Sequence, residues 1–297
     1  MMNERAWLAD RFAEHRPRLR AVAYRMLGSF TEAEDALQEA WLRCSRADVS
    51  AVENVAGWLT TVTARVCLNL LRAREHRREE PLLPHQADPV LSPLSGPDPE
   101  QQALLADAVG LALLVVLDSL VPAERVAFVL HDLFGVPFEE IAPLLERTPA
   151  AARQLASRAR RRVRDQAPAP DPDLGRQRAV VDAFFAAARD GDLAALVAVL
   201  DPGVVLRADG GARPSVVLRG REEVAGQALT GPRFARWVRP VLVNGAAGVV
   251  AVHQGRPLSV MAFTVTGGKI VAIDVLMDPE RLAALDLSAV GVSTVDG

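Results

Sequence analysis

Six arginines, Arg153, Arg158, Arg160, Arg161, Arg162 and Arg164, fall in one short stretch of the chain with no acidic residue among them. The whole chain has a formal net charge of -3, so this positive charge is concentrated rather than general. Guanidinium groups at that density meet phosphates, and side chains beside them reach base edges in a major groove. Arg153, Gln154, Ser157 and Arg158 are placed for base edges, and Arg160, Arg161 and Arg164 for phosphates. A solvated basic helix is the plainer alternative, and the surrounding spacing decides against it. Phe138, Ile141, Ala142 and Leu145 give a short helix an apolar face. Glu146-Arg147-Thr148-Pro149 forms a turn, with Thr148 as cap and Pro149 at the first position of the next helix. A helix-turn-helix with a basic second helix is the footprint of a DNA reader.

Other reactive residue types offer less. Cys44 and Cys67 lack metal-ligand spacing and read as small buried hydrophobes. No metal site and no cofactor are expected. Asp209, His253 and Asp274 are the candidates for acid–base work, but no pair among them has suggestive spacing, so no catalytic residue is assigned. An amphipathic helix carries Glu32, Glu34, Asp35, Gln38, Glu39 and Trp41. A later one carries Trp58, Arg65, Asn69 and Arg72, and arginines near an aromatic can hold strand-separated DNA by stacking and phosphate contact.

The elements that position these residues fall into three regions. Residues 1–80 are helical: Phe12, Leu19, Val22, Ala23, Met26 and Leu27 recur at three- and four-residue steps. Gly28-Ser29-Phe30 ends that helix. Thr31 then reads as an N-cap with Glu34 closing a capping box. Helices over Glu32 to Ser45 and Val55 to Arg78 follow. Six prolines from Pro81 to Pro99 make 81–105 an extended linker. Residues 106–166 are helical again, with a start at Pro122, an end at Gly135 and then the helix-turn-helix. A second proline-rich linker, 167–176, precedes an α+β region over 177–285 and a tail over 286–297. In that region helices over Val180 to Ala188 and Leu193 to Leu200 lead into six strands: Val204 to Ala208, Ser215 to Leu218, Trp237 to Val243, Val249 to His253, Leu258 to Val265 and Ile270 to Leu276. Gly267-Gly268 marks a hairpin. The charged N-terminus is not a signal peptide, and no run reaches the ~18 apolar residues of a membrane span. A cytoplasmic protein without membrane contact is expected.

Taken in order, Ala33-Glu34-Asp35-Ala36-Leu37-Gln38-Glu39-Ala40-Trp41, Gly57-Trp58-Leu59 and Arg65 to Arg72 resemble region 2 of extracytoplasmic-function sigma factors. Leu120 to Arg164 resembles their region 4. The resemblance implies that Glu34, Asp35, Gln38, Glu39 and Trp41 dock on the clamp helices of core RNA polymerase, and that region 4 meets the polymerase flap. It implies that Asn54, Trp58, Arg65, Asn69 and Arg72 open and read a promoter -10 element. It implies that Arg153, Gln154, Ser157, Arg158 and Arg161 read the -35 element.

The third region is similar to the SnoaL-like, NTF2-like cone, an appendage of the SigJ-like group. That group's turn and C-terminal motifs are matched by Asp209-Gly210-Gly211-Ala212-Arg213 and Asp278-Pro279-Glu280-Arg281-Leu282, with Ala212 and Asp278 departing from the pattern. Asp209, Gly210, Gly211, Arg213, Asp278, Pro279 and Arg281 are therefore the regulatory candidates. The expectation is a multidomain chain of two all-α sigma domains and an NTF2-like domain. It would bind polymerase and promoter DNA, contact itself through its C-terminal domain, and be tuned by that domain in cis. The alternatives are a helix-turn-helix regulator with a ligand-sensing NTF2-like domain, and an NTF2-like enzyme fused to DNA-binding helices.

Overall fold

Apolar residues at helical spacing collapse the N-terminal region into a bundle. In the computed structural model, which describes residues 2–49, 52–77, 88–94, 111–166, 170–209, 215–230, 237–285 and 287, α1 is Met2–Leu27, α2 is Phe30–Cys44 and α3 is Val55–Arg77. The three helices pack on one another. Leu19, Met26, Leu37, Leu59 and Leu68 are fully buried between them. Gly28 turns the chain after α1 with a positive φ. The expected capping box is absent. Thr31 lies inside α2, whose N-cap is Ser29 with no side-chain cap bond. Phe30 stacks on Tyr24, and this contact fixes the helix start two residues earlier than the cap pattern implies.

Four helices follow: α4 (Leu111–Asp118), α5 (Pro122–Phe128), α6 (Phe138–Leu145) and α7 (Pro149–Gln166). The helix expected from Pro122 to Gly135 is not uniform, because Val129–Leu133 forms a π-type turn. These helices share a unit with the bundle: Met1–Ala87 with Leu114–Ala167 form one, Asp88–Leu113 with Pro168–Gly297 the other. Arg125 of α5 is the joint, donating to the Met26 carbonyl at 2.9 Å and to Asp118 at 3.0 Å.

The second unit is α+β, as the sequence predicts. Helices α8 (Leu174–Asp190) and α9 (Leu193–Val199) precede β2 (Leu200–Ala208), β3 (Val216–Arg219), α10 (Arg221–Thr230), β4 (Val238–Val243), β5 (Ala246–His253), β6 (Arg256–Thr266), β7 (Lys269–Leu276) and α11 (Pro279–Ala283). Helix α10 is an element the strand pattern did not reveal. A two-residue strand, β1 (Leu91–Ser92), comes from the first proline-rich linker. Strand order is β1-β4-β5-β6-β7-β2-β3. All pairings are antiparallel except β2 with β7, which is parallel. Three hairpin turns, Asn244-Gly245, Gln254-Gly255 and Gly267-Gly268, place both residues at positive φ. That twist matches the flanking strands. Phe184 and Phe185 of α8 meet Phe263 of β6 edge-on at 5.7 and 5.8 Å, which seats the helices on one face of the sheet. Asp171 accepts the Gly267 and Gly268 amides at 2.9 and 3.0 Å. Those two bonds hold its carboxyl below the usual carboxylate range.

Candidate nucleic-acid interface

The second helix of the helix-turn-helix owes its start to Thr148, whose hydroxyl accepts the Ala151 amide at 3.2 Å. Pro149 is its first residue, as the sequence predicts. Glu146 ends α6 in the left-handed region at φ 56. Ala152, Ala156 and Ala159 are the buried seam of α7, small enough to let it lie close against α5 and α6. At 100° per residue, Gln154, Ser157 and Arg161 then stand opposite that seam, and all three are exposed.

The remaining arginines divide between the two flanks. Arg153 lies 5.2 Å over the Phe138 ring. Arg160 donates to Asp132 at 2.7 Å. Arg158 and Arg162, one turn apart, bind the two oxygens of Glu124 at 2.9 and 3.2 Å. Glu124 itself is buried, with its side chain 6% exposed. Arg158 is thereby tied to Glu124 on the α5 flank, while 61% of its side chain stays exposed. Sequence reasoning passed over Glu124 and Asp132, because their distance along the chain from α7 hides the pairing.

On α3, Trp58, Arg65, Asn69 and Arg72 lie about two helical turns, one turn and one turn apart, and so share a stripe. Arg65 and Asn69 are exposed, Trp58 and Arg72 half-buried. Asn54 is the N-cap: its Oδ1 accepts the Gly57 amide at 3.0 Å and its carbonyl the Trp58 amide at 3.0 Å. A Cβ on Gly57 would lie 2.6 Å from Asn54 Nδ2, so the cap requires glycine there. On α2, Asp35, Gln38 and Glu39 are exposed. Leu42 extends this face as a 43%-exposed apolar residue, which the charge pattern did not flag. Three of the expected docking residues already have partners: Glu34 pairs with Arg16, Glu39 accepts from Arg43 Nε at 2.8 Å, and Trp41 packs on Phe12 at 5.3 Å.

These two helical regions match known families in the same order. Residues 11–77 match sigma-70 region 2 and residues 110–163 match sigma-70 region 4. The chain is 38% identical over 290 residues to a Mycobacterium tuberculosis protein described as probable ECF RNA polymerase sigma factor SigI, covering 94% of each. The chain belongs to the extracytoplasmic-function RNA polymerase sigma factors. SigJ of the same organism is 38% identical over 294 residues, covering 93% of each chain. The crystal structure of SigJ matches with a TM-score of 0.75 at 34% identity, covering 96% of this chain and all of the other. The sigma factor accordingly binds core RNA polymerase and promoter DNA and directs transcription initiation. Among the described residues no helix is long and apolar enough to cross a membrane.

In the sigma factor's second unit, the C-terminal motif is a capped turn. Asp278 accepts the Glu280 and Arg281 amides at 2.9 and 3.0 Å, and Pro279 follows at the first helical position. Aspartate and asparagine are both good N-caps, so the departure at Asp278 is compatible with the cap. Asp209 accepts the Met277 amide at 2.7 Å and Arg281 Nη1 at 3.1 Å. Arg281 also donates from Nε and Nη2 to Asp88 at 2.9 and 2.8 Å. One arginine thus joins both motifs to the linker. Asn244 fastens the next residues, exchanging backbone and side-chain hydrogen bonds with Val90 at 2.8 Å each. Gly210, Gly211 and Arg213 lie outside the described residues, as does most of 81–105.

The three acid–base candidates do not converge. Asp274 is buried and pairs with Arg207 at 3.1 Å. Burial pushes its carboxyl upward, and Arg207 offsets part of that. His253 tilts against Trp237 with ring centroids 4.0 Å apart. Along β6, the partner of His253 is Arg256 and that of Asp274 is Ala262. Six residues of strand separate them, roughly 20 Å. Asp209 is occupied by Met277 and Arg281. The sigma-factor family consists of transcription initiation factors, and no arrangement among the described residues favours catalysis. Nor does any observation favour an operator-binding regulator, which has no use for a region 2.

Proposed function

We propose that this sigma factor is restrained in cis by its C-terminal domain through the linker between regions 2 and 4. The division of labour follows the sequence reading. Residues 1–80 act as region 2, with Asp35, Gln38 and Glu39 docking on the polymerase clamp. Asn54, Trp58, Arg65, Asn69 and Arg72 handle the -10 element. Residues 106–166 act as region 4, reading the -35 element through Gln154, Ser157 and Arg161 with Arg153 beside them. Residues 177–285 regulate. The protein works in the cytoplasm, where polymerase and promoter are.

The observation that carries the regulatory reading is the anchored linker. Asp88 is bound by Arg281, Val90 by Asn244, and Leu91–Ser92 pair with β4. The segment that must span the two promoter-binding regions is thereby sewn to the regulatory domain. Charge-assisted pairs of this partly buried kind are stronger than exposed ones, so the anchor holds until something competes for it. The test is transcription by core polymerase with the full chain, Arg281→Ala, and a chain lacking residues 168–297. Both variants initiate several-fold more than the full chain. Equal transcription from all three would sink the restraint.

A further inference from the structure

Six arginines on one helix predict strong, sequence-blind affinity for DNA, because each phosphate neutralised releases counterions. The structure does not leave all six available. Glu124 engages two with a single buried carboxylate, one oxygen to Arg158 Nε and the other to Arg162 Nη1. Asp132 takes Arg160. Among the described residues, Arg161 and Arg164 have no acidic partner. Geometry agrees with this division. The held arginines lie on the flanks of α7 beside α5 and the π-type turn, while Gln154, Ser157 and Arg161 stand opposite the alanine seam.

We propose that Glu124 is a specificity-setting positioning residue for promoter recognition. It withholds Arg158 and Arg162 from the DNA backbone, so that binding depends on the side chains at the outward pole of α7. This rests on the assignment of α7 as the -35 reader. The reasoning is one of competition. A phosphate offers a guanidinium a full charge in water, but a carboxylate only 6% exposed with two aligned donors is already paired and loses both charge-assisted bonds if they leave. Glu124 therefore keeps its arginines against phosphates that carry no sequence information. Without it, the same helix would grip any duplex more tightly and discriminate less.

The experiment uses holoenzyme reconstituted from core polymerase and the full chain. Two probes are a promoter fragment recovered by the wild-type holoenzyme from a random duplex library, and the same fragment with its -35 element scrambled. Binding constants are measured across a series of KCl concentrations. Glu124→Gln keeps the side-chain shape and removes the charge. It is expected to bind the scrambled fragment several-fold more tightly and to narrow the intact-to-scrambled ratio. Its log–log salt slope steepens by about 0.9 for each arginine released, so by about 0.9 to 1.8. Arg162→Gln keeps Glu124 paired with Arg158 and tests the idea independently. Losing this arginine leaves the salt slope unchanged, because it does not meet phosphate in the native helix. A shallower slope in Arg162→Gln overturns the proposal, as does a Glu124→Gln variant whose two affinities fall together or whose slope does not move. A wild-type holoenzyme indifferent to the -35 scramble overturns the assignment of α7 and the proposal with it.

Discussion

Replacing Gly57 by alanine separates stability from promoter opening. The new Cβ would stand 2.6 Å from Asn54 Nδ2 and 3.1 Å from Asn54 Cγ, so the asparagine must swing away. Its bond to the Gly57 amide then breaks. Losing an N-cap costs about 1 kcal/mol, while alanine in place of glycine returns up to about 1 kcal/mol of helix propensity. The net change in stability is within about 1 kcal/mol. Trp7, Trp41 and Trp58 all lie in the helical unit, so a urea titration followed by tryptophan fluorescence reports this balance. Opening of the -10 element should respond differently. One displaced polar contact is worth about 1 kcal/mol, or roughly five-fold in open complex, as read by permanganate reactivity of unpaired thymines. Asn54→Ala serves as the partner variant: the same loss of opening, with about 1 kcal/mol of destabilisation left uncompensated. Wild-type opening in Gly57→Ala would refute the role given to Asn54. Destabilisation beyond about 2 kcal/mol would refute the energy balance.

Two further outcomes concern the C-terminal domain. Phe263→Ala removes the ring against which Phe184 and Phe185 pack and costs about 3–5 kcal/mol. A C-terminal fragment transition in limited proteolysis should move to lower urea, with the helical unit unaffected. Asp171 has a depressed carboxyl, so its contribution is complete above the unfolded value near about 3.9 and is lost as pH falls through the lower folded value. Asp171→Asn therefore flattens the acid limb of the stability profile while leaving its slope near neutrality alone. An unchanged acid limb would show that the two glycine amides do not hold the charge.

What could be read from the sequence tracks what is local. The turn at Thr148-Pro149 was visible because a cap and an N1 proline act within one turn of helix. Hairpin Gly267-Gly268 was legible for the same reason. The hairpin at Asn244-Gly245 was not read from the sequence, nor was the hold of Asn244 on Val90. Pairings across long chain separations were invisible: Glu124 with Arg158 and Arg162, Asp132 with Arg160, Asp88 with Arg281. Each is a charge beside an opposite charge in space and an unremarkable surface residue in the sequence. Thr31 shows the converse, a good local cap pattern overridden when Phe30 found Tyr24 to stack on.

The strand Leu91–Ser92 also has a bearing on how the C-terminal domain behaves outside its chain. Strand β4 is the last of its sheet on that side apart from this visitor, and Leu91 and Ser92 sit opposite Val243 and Leu242. A fragment cut to begin at residue 168 keeps the helices and six strands but loses the piece that caps their border. It would present a bare row of amides and carbonyls beside the apolar residues Val241 to Val243, the pattern that recruits foreign strands. Such a fragment is expected to self-associate where the intact chain does not, and a peptide spanning residues 88–94 supplied in trans should reverse it. The domain boundary that looks natural in the sequence is therefore one strand short of a finished sheet.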